Sequence, residues 1–120
     1  MKLKQVKLGA KDKKHIPYLK ELRKWSDKLY VSTEDGSYGV KGRVTDLFER
    51  ANIGLASIFY NCGPRGMIEA VLPIERRISN PDRIFSSLEY ITSCGVGLCG
   101  KCADDRGRRT CVEGPFMSLE

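Results

Sequence analysis

The first stretch with a clear pattern is KQVKLG, residues 4–9, where apolar and polar positions alternate. It reads as a short strand ending at Gly9. HIPYLKELRKW follows, with Ile16, Leu19, Leu22 and Trp25 at helical spacing. That spacing predicts a helix with one apolar face, starting close to Pro17, since proline is tolerated only in a first turn. KLYVST, residues 28–33, is β-branched and aromatic and predicts a second strand, closed by the Asp35-Gly36 turn signal. TDLFER, residues 45–50, looks like a helix start, and LASIFYNC, residues 55–62, like a third strand ending at Cys62-Gly63-Pro64. A helix is expected from about Arg65, with Met67, Ile68, Val71 and Leu72 inward and Pro73 ending or kinking it. Asn80-Pro81-Asp82 is a turn, and IFSSLEYI, residues 84–91, reads as a last strand or extended segment.

Strands alternating with helices over residues 4–72 imply a parallel α/β unit. Only about three such strands are available, about half of a nucleotide-binding-type sheet, which leaves an edge that needs cover. The expected architecture is therefore α/β: a truncated half of such a sheet with helices over residues 1–80, followed by a small Cys-rich cluster-binding appendage over residues 81–120. No internal repeat and no low-complexity segment interrupts it.

The appendage carries the chemistry. CGVGLCGKCADDRGRRTC, Cys94 to Cys111, holds four of the chain's five cysteines. Zinc sites use paired C-x2-C knuckles or histidines. Here there is one C-x2-C pair, and the single histidine, His15, is distant. An odd cysteine count fits a disulfide framework poorly. The spacing Cys94-x4-Cys99-x2-Cys102, followed after eight residues by Cys111, is instead the plant-type [2Fe–2S] ligand run. Gly95, Gly97 and Gly100 permit the tight wrapping that brings backbone N–H groups to the sulfurs. Zinc and disulfides remain the alternatives. Cys62, 32 residues before Cys94, reads as a small buried hydrophobe outside the ligand set.

Charge adds little. The net charge of +6 is concentrated in lysines near the start, which read as the wet face of a helix. No interleaving of basic and aromatic residues points to nucleic acid, and an acidic protein partner explains the charge equally well. Arg106, Arg108 and Arg109 read as solvated side chains, or as a cationic loop beside an acidic partner. No apolar run is long enough to span a bilayer, and no apolar segment follows the basic start, so no signal peptide is read and the cytoplasm is the expected compartment.

The order VSTEDGSYGVKGRVTDL, YNCGPRGM, SSLEYITSCGVGLCGKC and CVEGPFM resembles the electron-transfer subunit of class 1B dihydroorotate dehydrogenases, in the ferredoxin–NAD(P) reductase superfamily. The resemblance covers nearly the whole chain. It implies an iron–sulfur subunit of an oxidoreductase complex in pyrimidine biosynthesis, with Cys94, Cys99, Cys102 and Cys111 ligating a [2Fe–2S] cluster. The implied partner is an FMN-containing catalytic subunit in a hetero-oligomer. No catalytic acid, base or nucleophile is expected in this chain, because the cofactor carries the chemistry. Related redox complexes, of the hydrogenase or ferredoxin:NADP oxidoreductase type, share the same loop. The family's FAD-binding barrel and its Gly-rich phosphate turn have no counterpart here, so FAD is not expected and NAD is doubtful. Phe116 and Met117, just beyond the last cysteine, suit either a dry interface or packing against residues 58–68.

Overall fold

The computed structural model describes residues 3–119. It contains parallel sheets with helices, in two compact units, one ending at Asn52 and the other beginning at Ile53. The expected boundary at 80/81 does not coincide with this division. The reason is strand pairing: residues 59–62 pair with residues 84–87, so the segment before 80 is tied to the segment after it.

In the first unit, β1 (Leu3–Ala10) pairs in parallel with β2 (Ser26–Thr33) from Leu3↔Ser26 to Ala10↔Thr33. A short β3 (Val40–Lys41) adds to the other side of β2. The connection between β1 and β2 holds α1 (Leu19–Trp25). This helix starts two residues after Pro17, with Tyr18 in the left-handed region at φ 51° as its cap. Ile16 therefore lies before the helix, and Trp25 stays 52% exposed, so the apolar stripe is only half used. Residues 44–50 form a 3-10 stretch rather than an α-helix. The Asp46 carboxylate accepts the Arg43 N–H at 2.8 Å, and Leu47 is fully buried.

In the second unit, β4 (Phe59–Cys62) pairs in parallel with β5 (Ile84–Ser87), and α2 (Arg65–Ile78) connects them. Ile68, Leu72 and Ile84 form the core, with Phe59, Met67, Leu88 and Leu119 against it. Pro73 does not end α2, which runs on to Ile78. A proline inside a helix costs about 3 kcal/mol. Burying Ile68, Val71 and Leu72 on the opposite side returns about 1.5–3 kcal/mol each. The packing outweighs the lost hydrogen bond.

The strands thus divide between two sheets instead of lining up in one. The predicted strands at 55–62 and 84–91 are each only four residues long, with Leu55 and Ile58 left exposed before β4. Among the described residues no helix is long and apolar enough to cross a membrane.

Candidate metal centre

Strand β5 positions the cysteine segment at both ends. The chain leaves β5 at Ser87 and reaches Cys94 seven residues later. After Cys111 it returns, and Met117 exchanges two backbone hydrogen bonds with Ser86, at 2.8 and 3.0 Å. This antiparallel bridge buries Met117. Phe116 stays partly exposed and meets Tyr60 edge-on at 5.6 Å, while Tyr60 stacks on Phe85 at 5.5 Å. Packing on β4 and β5 thus accounts for Met117 and for one side of Phe116.

The segment between Cys102 and Cys111 is a tight reversal. Ala103 bridges Arg109, and Asp104 accepts the N–H groups of Arg106 and Arg108 at 3.0 and 2.8 Å. Arg108 also donates from Nε to Asp104 at 2.7 Å and from Nη1 to the Ser118 carbonyl at 2.9 Å. Burial pushes the Asp104 carboxyl up, but the hydrogen bonds from Arg108 and Arg106 win and hold it below the usual range. Thr110 donates to the Cys102 carbonyl from both N and Oγ1, at 3.2 and 3.0 Å. The reversal thereby sets Cys111 beside Cys102, with their sulfurs 3.5 Å apart. Two thiolates on one tetrahedral metal, with bonds of about 2.3 Å, stand about 3.7 Å apart, so this pair has the span of two ligands on one iron.

The other two cysteines pair separately. Cys94 Sγ accepts the N–H groups of Val96, Leu98 and Cys99 at 3.5, 3.3 and 3.5 Å. The Cys99, Val96 and Leu98 amides pull the Cys94 thiol down to about 6, and the Cys99 thiol adds to this. These amides favour the thiolate form. Within the second pair, the Cys111 N–H lowers the Cys102 thiol, and the neighbouring Cys102 sulfur raises the Cys111 thiol. Gly97, inside the Cys94–Cys99 loop, has φ 82°, a conformation that glycine adopts without strain, and its N–H acts on Cys111, lowering that thiol.

Cys102 is 3% exposed, whereas Cys94 and Cys99 lie at the surface. Among the described residues no three His, Cys, Asp or Glu side chains converge as the shell of a single ion. Four thiols gathered in two pairs, with amides aimed at sulfur, fit a two-iron cluster better than one zinc ion. Cys62 is exposed at the end of β4, not buried as its position suggested. A four-residue strand beside a glycine turn gives it no cover.

Two arginines in the loop are engaged rather than merely solvated. Arg108 holds Asp104 and Ser118, as described, and Arg109 reaches the Gly97 carbonyl and Glu113. The i,i+4 spacings Asp104/Arg108 and Arg109/Glu113 were visible signals for both, but outside a helix that spacing carries no general expectation of contact.

Residues 89–120 match the family described as the iron–sulfur cluster binding domain of dihydroorotate dehydrogenase B. The chain is 40% identical over 114 residues to the "Probable dihydroorotate dehydrogenase B (NAD(+)), electron transfer subunit" of Methanopyrus kandleri, covering 94% of this chain and 43% of that protein. The protein of the same name from Archaeoglobus fulgidus is 36% identical over 92 residues, covering 77% and 40%. The "Dihydroorotate dehydrogenase B (NAD(+)), electron transfer subunit" of Geobacillus thermodenitrificans is 34% identical over 116 residues, covering 92% and 43%. The chain thus spans about two fifths of the length of these relatives. Residues 89–120 are thus similar to the iron–sulfur cluster binding domain of dihydroorotate dehydrogenase B, and the chain as a whole is similar to about two fifths of the electron transfer subunits named for that enzyme.

Proposed function

We propose that Cys94, Cys99, Cys102 and Cys111 ligate one [2Fe–2S] cluster, and that the chain serves as an electron-transfer subunit beside an FMN-containing dihydroorotate dehydrogenase chain. The observation that carries the reading is the pairing of the four thiols, Cys102 with Cys111 at 3.5 Å and Cys94 with Cys99 under three amide N–H groups. Bound there, a cluster supplies one-electron transfer at a potential set by its hydrogen bonds and exposure. The chain's own residues do the rest. The amides of Val96, Leu98 and Cys99 hold negative charge at Cys94, so that ligand needs little activation for metal binding. The thiol of Cys102 is walled off from water.

The partner reading rests on the surface around the loop. Ile91, Val96, Leu98 and Val112 are all more than half exposed, and Leu98 reaches 85%. Apolar side chains bracketing a metal-ligand loop suit a dry contact with a second chain. Oxidation of dihydroorotate to orotate releases two electrons and two protons. In such a complex the partner would hold the FMN that accepts them as a pair, and the four cysteines of this chain would hold a one-electron carrier able to receive them singly. The working compartment proposed is the cytoplasm.

The test is purification of the chain with its native partners. About two iron atoms and two labile sulfides per chain, a red-brown colour, and bleaching on addition of dihydroorotate are expected. A colourless chain holding zinc, or one that bleaches only with a different donor complex, overturns the proposal.

A further inference from the structure

Arg109, two residues before Cys111, reaches across to the loop between Cys94 and Cys99. Its Nη1 donates to the carbonyl of Gly97, inside the Cys94–Cys99 loop, at 2.9 Å. Its Nη2 donates to Glu113 Oε1 at 2.8 Å, and its own backbone N–H is accepted by the other oxygen of Glu113. Glu113 in turn donates its backbone N–H to the Arg109 carbonyl at 2.8 Å. One guanidinium fork therefore ties the loop carrying the first cysteine pair to the turn carrying Cys111. An exposed Arg–Glu pair alone contributes little. A rigid fork that spans two ligand loops is a different device, because lysine's single ammonium cannot reproduce both arms. The approach is close: a Cβ built on Gly97 would stand 3.0 Å from Nη1 and 2.7 Å from Val112 Cγ2.

We infer that Arg109 is a positioning residue for the cluster, setting the separation of the two thiol pairs, and that the opposed charges of Arg109 and Glu113 set its reduction potential. The inference rests on the reading that the four cysteines hold the cluster. Each electron added to the site increases its negative charge. A nearby cation favours the reduced form and a nearby anion opposes it, with an effect of about tenfold on the one-electron equilibrium for a unit charge some 10 Å away. A tenfold change in a one-electron equilibrium is 59 mV.

The experiment uses the full chain with its cluster assembled, and reads two quantities, the midpoint potential and the rate of iron loss to a chelator. Arg109→Gln is expected to lower the potential by about tenfold in the one-electron equilibrium and to speed iron loss by about tenfold. Glu113→Gln should raise the potential while loosening the same clamp. Arg109→Lys should restore the potential without restoring iron retention. Opposite potential shifts in the Arg109→Gln and Glu113→Gln proteins support the inference, because general loosening would move both the same way. Unchanged potentials and unchanged iron loss in an iron-loaded chain overturn the role of Arg109 and leave the ligand assignment standing. A wild-type chain that takes up no iron overturns both.

Discussion

Asn61, on β4, donates from its side-chain amide to Glu75, on α2, at 2.6 Å, and Glu75 is only 1% exposed. The same amide reaches Ser86 on β5 at 3.4 Å, so one side chain joins the three elements that frame the cysteine segment. A carboxylate in this position requires such partners, since a buried polar group that loses one typically costs about 1–3 kcal/mol.

Asn61→Leu is therefore expected to destabilise the chain by about 2 kcal/mol, and Asn61→Asp by more, because it faces Glu75 with a second carboxylate. Urea unfolding checks this: the midpoint should fall with little change in slope. A Leu variant as stable as wild type would show that Glu75 does not depend on Asn61.

Single Ala substitutions at Cys94, Cys99, Cys102 and Cys111 should each abolish or badly destabilise iron binding, whereas Cys62→Ala should keep it. Iron per chain and visible absorption are the readouts. A Cys111→Ala protein with full iron would contradict the pairing with Cys102, whose sulfur lies 3.5 Å away.

Gly97→Ala should lose iron faster than Gly95→Ala. Both positions have positive φ, 82° and 72°, so both substitutions carry backbone strain of about 1 kcal/mol. Only at Gly97 would the added methyl also strike Val112 and Arg109, while Gly95 faces open space. Equal rates of iron loss in the two variants would remove steric crowding as the cause.

The turn Asp35-Gly36-Ser37 should loosen in acid. The Asp35 carboxylate accepts Ser37 Oγ at 2.7 Å and Ser37 N–H at 2.9 Å, and these hydrogen bonds hold its pKa below the usual 3.8. A lowered folded value means that the turn's stabilisation is complete above the unfolded pKa and disappears as pH falls through the folded one. NMR titration of Asp35 should give a midpoint below 3.8, moving up in Ser37→Ala. An unchanged midpoint in that variant would rule out Ser37 as the cause.

The cysteine spacing and its glycines were enough to name the candidate ligands, because wrapping a small anionic core demands a short, flexible chain between donors. Periodicity placed β1, β2 and the start of α2 closely, and in β2 and α2 apolar residues of the expected face, Val31, Ile68, Val71 and Leu72, are buried. What local pattern could not decide was which strands pair. Pairing depends on contacts between residues far apart, such as Phe59 with Ile84 and Leu3 with Ser26, and no window along the chain contains both members. The same limit hid Arg109. Read locally it is one more charged residue in a polar loop, and only the folded loop brings its guanidinium to Gly97, twelve positions away. Burial of Cys102, exposure of Cys62, and the run of α2 through Pro73 are decided by packing too, where the energy of a buried face exceeds the local preference of a single residue.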